Sequence, residues 1–222
     1  STFKLERFDF LTANKNKQFG GTDSIRKMKT SEIKTWFRPS DIMVGPDGAI
    51  YITDWFDPRT GGHQTLDKKG LGTVYRISPK GFKSSVPRFD LKTIAGMISA
   101  LKSPAVNVRF LGFRALLKQG NKAIPAVKEL LNHSNKFIRA RAIWLLSKLG
   151  EQGQLVVLEQ AMSADAQTRI VAFRALRRVN YQFLELAELF SKDANPALRR
   201  EAAVAMRDVP FEKAKKIILN IA

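Results

Sequence analysis

The chain has 222 residues, 44% hydrophobic and 26% charged, which is a globular composition with room for one or two domains and not that of a disordered chain. No apolar run approaches the ~20 residues of a membrane helix, no basic-then-apolar leader opens at Ser1, and the absence of cysteine excludes disulfides, Cys-ligated zinc, iron–sulfur clusters and covalently attached c-type haem within these residues. The formal net charge of +18 favours anionic partners and is uneven: residues 1–90 carry 16 Lys or Arg against 10 Asp or Glu, and residues 91–222 carry 22 against 10.

The first elements are strands. Phe3 and Leu5 alternate, then Phe8 and Phe10 alternate on the opposite parity, so a first strand is expected to bulge or break near Glu6-Arg7. Ile42 and Val44 alternate on one side of the turn Gly45-Pro46-Asp47-Gly48, and Ile50 and Ile52 do so after it. Proline presets φ at the first central position of that turn, and glycine accepts the positive φ that closes a tight hairpin. Thr73-Val74-Tyr75-Arg76-Ile77 is another short strand, ended by Ser78-Pro79-Lys80-Gly81. Four strands make one blade of a β-propeller. A closed propeller takes roughly 4–8 blades of about 40–45 residues, because a lone sheet leaves both faces without a neighbour. The chain is therefore expected to be the C-terminal piece of a larger protein, or to pack on a partner.

From residue 91 the period changes to 30 residues. Arg109, Arg139, Arg169 and Arg199 recur at that spacing, as do the small residues Gly112, Ala142, Ala172 and Ala202 and the large apolar residues Leu116, Leu146, Leu176 and Met206. Asn135, Asp165 and Asn195 precede their arginines by four and suit helix N-caps, and Pro196 suits the first helical position. Ser103-Pro104 is expected to do the same job two residues earlier in the first repeat. Each repeat reads as two helices: 94–101 with 106–117, 124–131 with 137–149, 155–162 with 168–179, and 183–190 with 197–207, followed by 213–222 as the first helix of a fifth. Such units bury their apolar stripes only by stacking, so residues 86–222 are expected to form an α-solenoid of about four and a half repeats.

The small column marks the closest approach of paired helices, and the Leu/Met column fills the space between repeats. The arginine ladder admits two readings. It could track a phosphate backbone, or each arginine could hydrogen-bond loop carbonyls and cap groups of its own or the neighbouring repeat; the second is preferred. Arg114, Arg141, Arg174, Arg177, Arg178 and Arg200 vary in register and read as solvated faces.

The blade segments Phe37-Arg38-Pro39-Ser40-Asp41, Gly45-Pro46-Asp47-Gly48, Tyr51-Ile52-Thr53-Asp54-Trp55-Phe56-Asp57-Pro58, Gly61-Gly62-His63 and Gly72-Thr73-Val74-Tyr75-Arg76-Ile77, followed by short helical repeats, resemble a family of bacterial membrane-bound dehydrogenases. Those proteins join a propeller, similar to that of the glucose/sorbosone dehydrogenases that use pyrroloquinoline quinone, to HEAT-like repeats and often to a c-type haem domain. The resemblance covers nearly the whole chain; the haem domain has no counterpart, in keeping with the absence of cysteine. It implies an α+β multidomain chain with a partial β-propeller, one terminal blade over residues 1–85, and HEAT-like repeats over 86–222. It also implies pyrroloquinoline quinone and calcium as cofactors, a sugar or alcohol substrate, and a periplasmic or extracytoplasmic, membrane-associated location. The partners would be the remaining propeller blades and a protein held by the repeats.

By the same resemblance, Arg38 would face the cofactor carboxylates, although the Arg-Asn-Pro triplet of the relatives lacks its asparagine here. Arg76 would face those carboxylates or a neighbouring blade, with packing the preferred role. Asp54 and Asp57 are hard oxygen donors suited to calcium, or they cap backbone N–H groups near a turn. His63 could accept the proton released as a sugar hydroxyl is oxidised, or be a structural loop histidine. Three functional readings follow: a dehydrogenase-like piece inactive by itself, a non-enzymatic module gripping an acidic protein or a polysaccharide-handling complex, and a basic nucleic-acid-binding solenoid, the least favoured.

Overall fold

The computed structural model describes residues 10–11, 37, 39–55, 72–83, 85–86 and 88–221. The chain divides into two compact units, Ser1–Pro87 and Arg88–Ala222.

The described part of the first unit is an antiparallel sheet of β1 (Pro39–Val44), β2 (Ile50–Asp54) and β3 (Thr73–Ile77), in that order. In the β1–β2 hairpin Gly48 N–H donates to the Gly45 carbonyl at 3.0 Å and Gly45 N–H donates to the Ala49 carbonyl at 2.8 Å. Gly48 has φ +82°, a conformation that costs a side-chain-bearing residue strain. Cross-strand partners share a face, and so do alternate residues along a strand. The register Ile42↔Ile52↔Tyr75 and Val44↔Ile50↔Ile77 therefore gathers six apolar residues on one face, while Met43, Tyr51 and Arg76 align on the other. Ile52 is buried, but Ile42 is 60% and Tyr75 42% exposed, with the Phe37 ring edge-on to Tyr75 at 5.4 Å. Alternation thus placed these three strands, and the described residues contain this sheet and no propeller. Residues 1–9 of the expected first strand lie outside the described residues.

The second unit is a helical repeat. Its helices are α1 (Ile94–Lys102), α2 (Val106–Gln119), α3 (Ile124–Glu129), α4 (Lys136–Leu146), α5 (Gly150–Ala161), α6 (Ala166–Arg178), α7 (Phe183–Phe190), α8 (Pro196–Ala205) and α9 (Phe211–Leu219), with short 3-10 turns after α2, α3 and α8. Consecutive helices pair as α1/α2, α3/α4, α5/α6 and α7/α8, and the second helices α4, α6 and α8 pack side by side. Helix α5 starts five residues before the expected Leu155. The cause is Gly150 at φ +75°, which lets the chain reverse directly after α4. Gly120 (φ 58°) and Asn180 (φ 56°) occupy the same column in the left-handed region, so the connection between repeats also recurs every 30 residues.

The small and large columns form the core. Ala142, Ala172, Ala202, Leu116, Leu146 and Leu176 are wholly buried, and Met206 nearly so. A Cβ on Gly112 would lie 2.5 Å from the Leu101 nitrogen and 2.8 Å from the Met97 carbonyl oxygen, so the α1/α2 crossing admits no side chain there. Asn135 Oδ1 accepts from the Phe137 N–H, Asp165 from those of Gln167 and Thr168, and Asn195 Oδ1 from that of Ala197, as N-caps do. The first repeat differs from expectation: α2 is preceded by Ala105, which has no capping side chain, and Ser103 Oγ instead accepts from the Ala105 N–H at 3.2 Å.

Candidate functional site

Of the five residues singled out by resemblance, Arg38, Asp57 and His63 lie outside the described residues. Arg76 is held by the hairpin. Its Nε and Nη2 donate to Asp47 Oδ2 at 3.0 and 2.9 Å, Tyr51 Oη donates to the same oxygen at 3.2 Å, and the Ala49 N–H donates to Asp47 Oδ1 at 3.1 Å. The Asp47 side chain is almost fully buried, so this carboxylate needs all of these donors. Hydrogen bonding to Asp47 raises the Arg76 pKa further. Asp54, at the end of β2 opposite Thr73, is buried and shares the face of Ile52, whereas Arg76 shares the face of Tyr51. The sheet therefore sends Arg76 and Asp54 to opposite sides. Among the described residues no three His, Asp or Glu side chains gather in a group that could hold a metal ion.

The arginine ladder is a set of clips. Nη1 of Arg139, Arg169 and Arg199 donates to two carbonyls each, at the positions six and five residues before it: His133 and Ser134, Ser163 and Ala164, Asp193 and Ala194, all at 2.8–3.1 Å. Arg109 reaches the Pro104 carbonyl at 3.0 Å. A second column supports the same loop: the side chains of Ser103, His133, Ser163 and Asp193 each accept from the N–H two residues on. Ser, His and Asp share only an acceptor atom within reach, so similarity of residue type could not have revealed this column; its spacing of 30 could.

Two arginines read as solvated are structural. Arg141 in α4 donates from Nη1 to the Leu101 and Ser103 carbonyls at 3.0 and 3.2 Å, closing the end of α1 from 40 residues away. Burial, and then repulsion from Arg109, lowers its pKa. Arg174 in α6 forms a two-point pair with Glu201 in α8, with Nε at 2.8 Å from Oε2. That pairing pulls the buried Glu201 carboxyl below its ordinary range.

Charge is sorted by layer. The second helices α2, α4, α6 and α8 hold twelve Lys or Arg and one Glu, whereas α1, α3, α5, α7 and α9 hold five Lys and six Glu. A cleft of about 220 Å³ opens between α4 and α6, lined by Lys136, Phe137, Ala140, Thr168 and Val171 among others. The second-helix layer thus combines cations, apolar side chains and concave relief on packed helices.

Residues 94–177, spanning α1 to most of α6, match the family model of HEAT repeats. The HEAT repeat match covers the pairs in which the caps, clips and buried columns were traced, and the same columns run on through α8. HEAT repeats commonly mediate protein–protein interaction, and the region that matches here is a helical repeat. No curated protein matches the chain. No helix among the described residues is long and apolar enough to cross a membrane.

Proposed function

We propose that the helical unit is a protein-interaction module that presents its second-helix layer to a partner. The observation that carries this reading is the charge sorting, twelve cations to one carboxylate on the second helices against near balance on the first. Six of the twelve, the clips Arg109, Arg139, Arg169 and Arg199 together with Arg141 and Arg174, hold the repeats together, and the other six, Arg114, Lys118, Lys136, Arg177, Arg178 and Arg200, are an excess that the buried columns and clips do not require. Like charges gathered on one layer oppose folding and favour an anionic partner. Phe110, Phe137 and Val204, 56%, 64% and 47% exposed, stand among those cations and supply apolar area for the contact.

Photo-crosslinking side chains at positions 110, 137 and 204, compared with positions 155 and 189 on the first helices, test the reading in the source cells. Discrete protein adducts are expected from the second-helix positions alone. A chain that gives none from either layer is not an interaction module.

A second reading concerns the strand unit. We propose that it is the last blade of a propeller-based, quinone-dependent dehydrogenase-like protein acting on a sugar or alcohol outside the cytoplasm. Supporting it is the six-residue apolar face, on which Ile42 and Tyr75 stand exposed as they would before an adjacent blade covers them. Arg38 and Arg76 would meet pyrroloquinoline quinone, Asp54 and Asp57 would hold calcium, and His63 would take the substrate proton. Arg76 already spends two of its five N–H donors on Asp47, so it would reach a cofactor with the remaining Nη2 N–H and with Nη1, now 3.5 Å from Ser78 Oγ. Pyrroloquinoline quinone and calcium added to the full-length protein should give a bound-cofactor absorbance, reduced in Arg38→Ala. Its absence would leave the blade a scaffold.

A further inference from the structure

The second helices carry a row of cations distinct from the arginine clips. Lys118, Lys148 and Arg178 recur every 30 residues, the first and last at the C-terminal ends of α2 and α6 and Lys148 in the turn just after α4. All three are exposed, and none has an ion pair among the described residues. Lys148 lies over the Phe113 ring at 6.0 Å. In the fourth repeat the position is Asp208, paired with Arg207, and the row ends there. One helical turn back, positions 114, 144, 174 and 204 are Arg, Trp, Arg and Val. Arg174 is committed to Glu201, and Arg114 lies over the Phe110 ring at 5.8 Å. An unpaired cationic rail therefore runs across the second helices beside a strip of Phe110, Trp144 and Val204.

We propose that this rail and strip bind an acidic, apolar-containing polypeptide segment in extended conformation, laid across the second helices. The proposal rests on the interaction-module reading and names its partner's chemistry. Packed helices such as α4 and α6 stand about 8–10 Å apart, and an extended chain of the polyproline II type advances about 3.1 Å per residue with three residues per turn. Carboxylates at every third residue would thus share one side of the segment and meet the cations beside α4 and α6, while the residues between them reach the strip. A phosphate backbone would satisfy Lys118, Lys148 and Arg178 equally well but would leave Phe110 and Val204 facing charged oxygens. The exposed apolar side chains decide for a polypeptide.

The test uses the whole chain and a labelled synthetic peptide carrying Asp or Glu at every third position with Leu and Phe between. Binding is read by fluorescence anisotropy, with duplex DNA as the alternative ligand. The triple variant Lys118→Glu/Lys148→Glu/Arg178→Glu is expected to lose about tenfold or more in affinity, and Lys213→Glu/Lys215→Glu on α9 less than about twofold. The milder Lys118→Gln/Lys148→Gln/Arg178→Gln should lose part of it while melting like the native chain, which guards against misfolding of the charge-reversed variant. Binding of the peptide by the triple variant at native affinity would overturn the proposal. So would preference for the duplex with a steep salt dependence. A crosslinked partner whose contact segment lacks carboxylates would also overturn it while leaving the interaction module intact.

Discussion

Arg169 in α6 donates from Nη2 to both carboxylate oxygens of Asp193, at 3.2 and 3.3 Å, and so joins the third repeat to the loop that opens α8. The same carboxylate accepts from the Asn195 N–H at 2.7 Å, and the Asp193 carbonyl accepts from Arg199 at 2.8 Å. One residue thus serves its own cap, its own clip and its neighbour's arginine. The corresponding positions 133 and 163 are His and Ser, which keep the first two roles and give Arg109 and Arg139 no carboxylate.

Asp193→Ala should therefore cost more than Ser163→Ala, although both delete the same loop acceptor. Loss of a charge-assisted partner for the largely buried Arg169 is worth about 1.5–3 kcal/mol, against about 0.5–1.5 kcal/mol for a neutral bond. Urea unfolding of the two variants measures the difference; equal costs would remove the cross-repeat role from Asp193.

The Arg174–Glu201 pair should be visible in the pH dependence of stability. The Glu201 carboxyl is held below its unfolded value by the Arg174 hydrogen bonds, so its contribution is present above the unfolded pKa, about 4.3, and is lost as pH falls through the folded one. Glu201→Gln should flatten that part of the acid limb. Arg174→Met should cost about 1.5–3 kcal/mol near neutrality, because it removes the two-point partner of a buried carboxylate and leaves it the more distant charges of Arg200, at 3.8 Å, and Arg177. Chemical denaturation across pH 3–7 checks both, and identical acid limbs in native and Glu201→Gln chains would refute the assignment.

Leucine at Ala142 or Ala172 should overpack the helix pairs at a cost of about 1–3 kcal/mol. Alanine at Gly112 should also destabilise, since its Cβ would meet backbone atoms and not yielding side chains. Leucine at the exposed Ala194 is the control and should stay within about 0.5 kcal/mol of the native chain.

In the hairpin, Asp47→Ala strips the acceptor from Arg76, Tyr51 and the Ala49 amide together. The Ala49 amide should then exchange with solvent roughly 30-fold faster or more, in line with about 2 kcal/mol for a buried charged acceptor. Unchanged exchange would mean that the strand ladder alone protects that amide.

What could be read from the residues was whatever the chain resolves within a few positions of itself. Gly45-Pro46-Asp47-Gly48 closes its own turn, Asn135, Asp165 and Asn195 cap the helices that follow them, and the ladder arginines bond carbonyls five and six residues back. The 30-residue columns then implied stacking, because no pair of helices can bury Leu116, Leu146 or Leu176 alone. The arrangement of the five residues drawn from resemblance was not legible in this way. Arg76 and Asp54 stand on opposite faces because strand parity separates them, and the reach of Arg76 to Asp47 spans 29 residues.

Sequence by itself determined the repeat, its caps and clips and the hairpin, because each is a short-range hydrogen-bonding or periodic requirement. Only the tertiary structure decided which arginines are structural and which face outward. Arg141 closes α1, Arg174 meets Glu201 and Arg169 meets Asp193 across 40, 27 and 24 residues, distances that stacking removes by setting one helix beside the next. Among the described residues Lys118, Lys148 and Arg178 have no such carboxylate brought to them, and so the charge that composition announced as a sum becomes a row along one layer of helices.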